Sequence, residues 1–189
     1  MRTLKLQFLI LSVLSLIALV LLSCSDKSNL DAIANSEFEI YLAKNLISYN
    51  SSIDYDKINL DTIGLNDMPF LTMSNIESYD TVNHIINLKK SKDNLDFPSP
   101  GVYGQMFVVV VDKAPVYCGF FWSIISSVPC NWIFIEDPNE LNGLTDNQIQ
   151  ISAGYPNFSH FHGVDPRNNA KIFDVFSQNG KLTGNTKAK

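Results

Sequence analysis

A basic surface is missing from this chain. Its largest cluster of positive side chains is Lys89-Lys90-x-Lys92, and its 14 Lys and Arg residues are outnumbered by 19 Asp and Glu. Proteins that bind the phosphates of DNA or RNA need a basic face. The absence excludes a nucleic-acid partner, and the excess of acidic residues indicates a solvated surface that keeps the protein soluble.

Sequence motifs of catalysis are also absent. The chain has no G-x-S-x-G motif, which would place a nucleophilic serine on a sharp turn, and no glycine-rich phosphate loop. We therefore expect no catalytic residue and no cofactor. A set of aromatic residues could line a ligand groove, but strand spacing is more typical of a core; the set is Tyr117, Phe120, Phe121, Trp122 and Trp132.

Charged residues are few, at 17%, while 46% of the residues are hydrophobic. That balance is typical of a globular protein, and 189 residues suffice for one domain with a hydrophobic core. We expect a single α+β domain at residues 37–180, followed by a flexible basic tail at residues 181–189.

The hydrophobic run near the start of the sequence is too short to span a bilayer. Arg2 and Lys5 precede an uncharged run from Phe8 to Leu22, which is fifteen residues long. A bilayer span needs about 20 residues, whereas a secretory signal has a shorter run behind a positive start. The pattern predicts a signal peptide at residues 1–23.

The run ends in Leu21-Leu22-Ser23-Cys24, which resembles the lipobox of bacterial lipoproteins. An aliphatic residue at position −3, a small residue at −1 and a cysteine at +1 carry the resemblance. It implies signal cleavage between Ser23 and Cys24 and a diacylglyceryl group on the Cys24 thiol, often with another acyl chain such as palmitate on the new amino group. Two or more such chains give stable membrane anchoring.

The resemblance therefore implies a protein of the bacterial cell envelope, held to a membrane by lipid. Its domain would lie outside the cytoplasm, in the periplasm or on the cell surface, and the sequence does not choose between inner and outer membrane. Residues 24–36 are polar, as expected of a tether. Without residues 1–23, 12 basic side chains face 19 acidic ones, a net charge of −7.

Apolar segments with strand periodicity predict an antiparallel or mixed sheet of five or six strands. Its centre is a hairpin at residues 106–123, because residues 107–111 have apolar side chains on both faces. The other predicted strands are Phe38–Ala43, His84–Leu88, Trp132–Glu136 and Gln148–Ser152.

Two or three helices are expected to pack on that sheet. Ser74 and Glu77 have the spacing of a capping box, which predicts a short helix at residues 75–79. The polar segment at residues 89–95 is a second candidate. The clearest helix starts with Asp165 as N-cap and Pro166 in the first position, and it ends near Gly180.

The order of these segments also resembles two groups of bacterial proteins. One is the periplasmic head part of the SecD and SecDF translocation proteins; the other is a group of uncharacterised lipoproteins with a valine-rich central strand. The resemblance is carried by Leu71-Thr72, Ile76, residues 108–117 and Ile149-Gln150-Ile151. It implies a small α+β unit and carries no catalytic motif.

Two cysteines remain once Cys24 is lipidated. In an exported protein, Cys118 and Cys130 could form a disulfide that closes a thirteen-residue loop, which requires their two strands to be adjacent and in register. The alternative is that both are unbridged thiols, at least one of them buried.

The segment His160-Phe161-His162, with Asp165 three residues further on, is the one metal-like cluster of the sequence. A metal site needs three or four protein ligands, and the remaining histidine, His84, is far away in sequence. We therefore expect two surface histidines and no metal.

The sequence favours a lipid-anchored envelope protein whose domain binds or scaffolds a partner without catalysis. The alternative is a metal-dependent hydrolase that uses His160, His162 and Asp165. A weaker alternative is an accessory to protein export, which rests on the resemblance to SecD and SecDF alone.

Overall fold

A computed structural model describes residues 36–45, 47–137 and 143–184. These residues form a nine-stranded mixed sheet in the order β2-β1-β5-β6-β7-β8-β4-β3-β9, in which the pairs β6–β7 and β3–β9 are parallel and the others antiparallel. The strands are β1 (Phe38–Leu42), β2 (Leu71–Thr72), β3 (Ile76–Asp80), β4 (Ile85–Leu88), β5 (Gln105–Val111), β6 (Ala114–Trp122), β7 (Cys130–Glu136), β8 (Gln148–Tyr155) and β9 (Leu182–Thr183).

The predicted hairpin is present as β5 and β6 at the centre of the sheet. Met106 to Val111 are all buried, and they alternate between the two faces. The strands are joined by Asp112 and Lys113, which both have positive φ angles of 50° and 66°. This geometry is typical of two-residue hairpin turns, whose twist matches that of the strands.

One face of the sheet, the helix face, packs against the single α-helix of the described residues, α1 (Ala170–Gln178). The helix buries Ile172, Val175 and Phe176, and the ring of Phe176 lies 4.8 Å from that of Phe38. Asn169 caps the helix by accepting a hydrogen bond from the backbone N–H of Lys171. These contacts tie the last helix to the first strand.

The opposite face, the loop face, is covered at its centre by the segment of residues 47–58. Tyr49 packs edge-on against Trp122 at 5.2 Å, and Tyr55 packs against Phe120 at 5.1 Å. The predicted aromatic set is therefore core, since all five of its members are buried.

Towards β8, β4 and β3, the loop face is polar and half-exposed. Gln148 donates to the side chain of Asn87, and Asn87 donates to the hydroxyl of Ser78, both at 3.0 Å. Gln150 and Ser152 continue this row along β8. The sheet thus has one half that is covered on both faces and one half that is covered only on the helix face.

The predicted five or six strands and two or three helices were wrong. The predicted helix at residues 75–79 is β3, because pairing with β4 buries Ile76 and Tyr79. A cap does form there, two residues earlier than predicted: the side chain of Asn75 accepts from the backbone N–H of Thr72 at 2.9 Å. It closes only a 3-10 turn, Met73–Asn75.

Two other segments that were predicted to be helical contain less α-helix than predicted. The segment at residues 89–95 contains only a 3-10 turn, Lys92–Asn94. Asp165 and Pro166 begin a 3-10 turn, and α1 starts after it, at Ala170. At the other end of the helix, the first residues of the expected tail lie in the sheet, since Leu182 and Thr183 pair with β3.

Candidate binding groove

The residues of the predicted metal cluster lie along one loop, but they do not form a metal site. Among the described residues, no three His, Cys, Asp or Glu side chains are placed to share an ion. The Asp165 carboxylate accepts from both Nε and Nη2 of Arg167, at 2.9 and 2.7 Å. His162 is exposed, and the Nδ1 atom of His160 is buried without a hydrogen-bond partner.

Asp165 belongs instead to a buried polar cluster beneath the helix face. Arg167 donates through Nη1 to the backbone oxygen of Ile151 in β8 at 2.9 Å. Nearby, the hydroxyl of Tyr79 is hydrogen-bonded to Nδ1 of His84 at 2.8 Å. His84 and Arg167 are only 7% and 9% exposed.

The electrostatics of this cluster favour a neutral histidine beside a fixed ion pair. Burial, together with the charge of Arg167, lowers the pKa of His84 to about 4. Burial alone would raise the pKa of Asp165, but the hydrogen bonds and charge of Arg167 outweigh it and lower that pKa. The groups are thus partnered within the fold, and we assign the cluster a structural role.

Cys118 and Cys130 are both buried free thiols in this structure. Their strands are adjacent, but the register of β6 and β7 sets Phe120 opposite Phe134, so Cys118 lies beside Trp132 and not beside Cys130. The indole Nε1 of Trp132 donates to the backbone oxygen of Cys118 at 2.8 Å. Burial raises the pKa of each thiol to about 12, which makes both poor nucleophiles.

A concave site lined by two lysines lies at the end of β4, and we call it the lysine groove. Ser74 and Asn75, just before β3, form one wall, and the other is formed at and after the end of β4 by residues 88–91, Asn94 and Leu95. The walls are joined by a hydrogen bond of 2.9 Å from the backbone N–H of Lys89 to the oxygen of Asn75. The volume is about 210 Å³.

Both Lys89 and Lys90 line this groove, because the chain bends directly after Leu88. In an extended strand, two consecutive side chains would point to opposite faces. Neither lysine forms an ion pair with a described residue. The groove therefore has two unpaired positive charges and no carboxylate in its lining.

A third lysine, Lys181, stabilises one wall of the groove through hydrogen bonds to its backbone. Lys181 follows α1, and its Nζ donates to the backbone oxygens of Met73 at 2.7 Å and of Ile76 at 2.5 Å. These two residues flank Ser74 and Asn75. Burial and the charge of Lys89 lower the pKa of Lys181, against a smaller opposing effect of Glu77. Positive charge is thus concentrated at this end of a protein that is acidic as a whole.

A second cavity, of about 330 Å³, lies between the segments around Gly101 and Ser126. Its wall is held together internally, since the hydroxyl of Ser126 donates to the backbone oxygen of Val102 at 2.7 Å. Its lining contains one carboxylate, Asp137, and no cation. It offers less charge to recognise a ligand than the lysine groove does.

The sequence shows the groove residues separately but gives no sign that they form one site. Lys89-Lys90-x-Lys92 is the largest basic cluster of the chain, and it is too small to indicate nucleic-acid binding. The spacing of Ser74 indicates only a helix cap. A usable signal was the position of that cluster, directly after a strand in an acidic chain. The contribution of Lys181, about 90 residues away, has no local signal.

No family model, curated protein or solved structure matches this chain. The described residues contain no helix long and apolar enough to cross a membrane. The lipobox residues 21–24 lie outside the described residues, so the lipoprotein resemblance stays a prediction.

Proposed function

We propose that this chain is a lipid-anchored protein of the bacterial cell envelope whose domain binds a small ligand in the lysine groove and performs no catalysis. The anchor would be diacylglycerol on Cys24, exposed when residues 1–23 are removed. The observation that carries the binding function is the convergence of Lys89, Lys90 and Ser74 on one groove.

The anchor is supported by the match of Leu21-Leu22-Ser23-Cys24 to the lipobox and by the short hydrophobic run before it. Each acyl methylene buried in the bilayer contributes about 0.8 kcal/mol, so diacylation with a third chain holds a soluble domain firmly. The domain begins close behind the anchor, since Ser36 already bonds to Gln178 and Asn179 at the end of α1.

The hydrolase alternative finds no support in the arrangement of its residues, because Asp165 is bound to Arg167 and His162 is exposed on the surface. Zinc analysis of the purified protein tests it directly. Stoichiometric zinc that is lost on His160→Ala would favour the hydrolase over the binding protein.

The anchor is tested by expressing the full chain and its Cys24→Ser variant in a bacterial host. We expect the parent chain to partition into detergent and to yield a mature amino terminus at Cys24 whose mass includes acyl chains. The Cys24→Ser variant should keep its signal peptide and carry no acyl mass. Cys130→Ala is the matched control and should be lipidated like the parent. A parent chain that still begins at Met1, or a Cys24 thiol without lipid, would contradict the proposal.

A further inference from the structure

We propose that the lysine groove binds the phosphate group of a small organic molecule, with the nonpolar part of that molecule resting on Leu95. This inference rests on the proposed binding function of the groove, but it does not depend on the lipid anchor. It names the class of ligand that the groove recognises.

Charge is the first argument. Lys89 and Lys90 project into one groove without a carboxylate partner among the described residues, and Lys181 lies behind the same wall. Crowding of Lys181 by Lys89 leaves a local excess of positive charge, and a bound anion would relieve it. The chain as a whole is acidic, with 19 Asp and Glu against 14 Lys and Arg, whereas the lining of this groove has two lysines and no carboxylate.

The neutral donors of the groove are the second argument. The Oδ1 atom of Asn75 accepts from the backbone N–H and the hydroxyl of Thr72, at 2.9 and 2.8 Å. This fixes the orientation of the amide and leaves its NH₂ group as a donor with no partner among the described residues. The hydroxyl of Ser91 lies in the same lining and accepts from the backbone N–H of Asp93, so its proton is free to be donated. The hydroxyl of Ser74, by contrast, donates to that of Thr72 at 2.6 Å.

This set of donors suits phosphate better than carboxylate. Carboxylates are planar and are matched best by the two parallel N–H groups of an arginine, which the groove lacks. A phosphate presents three or four oxygens in several directions and carries up to two charges. Two lysines act on it as point charges, the hydroxyl of Ser91 donates from the same wall, and the amide of Asn75 donates from the opposite wall.

The size and the floor of the groove limit the ligand. Its volume of about 210 Å³ is below that of the pockets that bind drug-sized molecules. The partly exposed side chain of Leu95 provides an apolar surface next to the lysines, with the buried Leu88 beneath it. A phosphate ester of a short polyol, or the head of one phospholipid, matches this combination of one charged and one apolar end.

The place of the groove in the fold is compatible with a lipid source. Ser36, where the described domain begins, is hydrogen-bonded to Gln178 and Asn179, and Lys181 follows two residues later. The chain therefore enters the domain near the residue that braces the groove.

The test uses the full chain, purified in a detergent without phosphate, and follows binding by ³¹P NMR. Three probes are titrated separately: inorganic phosphate, glycerol 3-phosphate and a short-chain phosphatidylglycerol below its micellar concentration. The double variant Lys89→Gln/Lys90→Gln removes the two charges. Lys171→Gln removes one charge from the exposed surface of α1 and serves as the control.

We expect at least one probe to bind saturably and the double variant to weaken it by about tenfold or more, since each charge-assisted hydrogen bond contributes on that scale. Lys171→Gln should change affinity less than about twofold, the size of a surface charge effect. Tighter binding of the phospholipid identifies a head group as the source, and equal or tighter binding of the two soluble probes identifies a free phosphate ester.

Absence of saturable binding by all three probes, or equal binding by the parent and the double variant, would overturn the inference. Neither result bears on lipidation of Cys24, which is measured by mass. Conversely, a chain without lipid that still binds phosphate would leave this inference intact while removing the proposed anchor.

Discussion

The two halves of the sheet are built on different principles. Around β5, β6 and β7, both faces are covered, by α1 and its neighbours on the helix face and by Tyr49 and Tyr55 on the loop face. Around β8, β4 and β3, only the helix face is covered, and the loop face carries the polar row of Asn, Gln and Ser side chains. The lysine groove lies at the end of this second half.

Under the binding function that we propose, stability and recognition are assigned to different halves of the sheet. The half that is covered twice contains most of the large buried rings, whose removal from water is the main source of folding free energy. The half that is covered once has polar side chains on its open face. The proposed binding groove lies at the end of this half, so it does not interrupt the core. Three stability measurements test this division.

The largest expected effect is in the half that is covered twice. Phe120 is completely buried and packs edge-on against Tyr49 and Tyr55, so Phe120→Ala should lower the free energy of unfolding by about 3–5 kcal/mol. Ser152→Ala, on the polar row, should change it by less than about 0.5 kcal/mol. Urea denaturation measures both. Similar losses for the two variants would erase the distinction between the halves.

A second effect, of up to about 3 kcal/mol, comes from His84 beneath the helix face. Its pKa in the fold is about 4, against about 6.5 for an unperturbed histidine. The unfolded chain therefore takes up a proton that the folded chain does not, and stability is complete above pH 6.5 and falls as the pH drops from 6.5 towards 4. Against the opposing effect of burial, hydrogen bonds lower the pKa of the neighbouring Asp165 and Asp80, so these two carboxylates stay charged through most of this range.

The variant His84→Asn should remove this pH dependence, because asparagine tolerates the positive φ of 53° at position 84 and does not titrate. Free energies of unfolding at pH 4.5, 5.5 and 7 provide the slope. His162→Asn is the control, since His162 is exposed, and it should keep the slope of the parent. An unchanged slope in His84→Asn would place the titrating group elsewhere.

A smaller effect, of about 1–3 kcal/mol, is expected where β6 passes under Phe107. A Cβ atom at Gly119 would lie 2.4 Å from the ring of Phe107 and 3.0 Å from the backbone oxygen of Ile133, so Gly119→Ala should destabilise the fold. Gly64→Ala meets nothing closer than 3.8 Å and should be nearly neutral. Phe107→Leu should recover part of the loss in the double variant, and thermal melts would show whether it does.

The sequence predicted the doubly covered half well. Residues 107–111 have apolar side chains at both odd and even positions, so both faces of the strand must be buried, and this indicates a central strand.

The sequence was less informative where the secondary structure of a segment depends on its pairing with a distant strand. Residues 76–80 carry a local helix-start signal, but pairing with β4 and the burial of Tyr79 made them a strand.

The candidate site could be predicted only in pieces. The basic cluster at residues 89–92 is visible in the sequence, but the groove depends on the bend after Leu88 and on the wall that Asn75 forms across the sheet end. Arg167 gives a similar lesson: it is the one arginine besides Arg2, yet nothing local shows that it would be buried against Asp165 and β8. Contacts between residues far apart in sequence leave no periodic trace.

The borders of the sheet matter for the membrane anchor that we propose, because an anchored protein is crowded beside copies of itself. β2 and β9, at the two ends of the strand order, are each only two residues long. Long, flat border strands invite another chain to add its own strand and start an aggregate. Borders this short give an incoming strand little backbone to pair with, so we expect neighbouring molecules to remain separate at high local density.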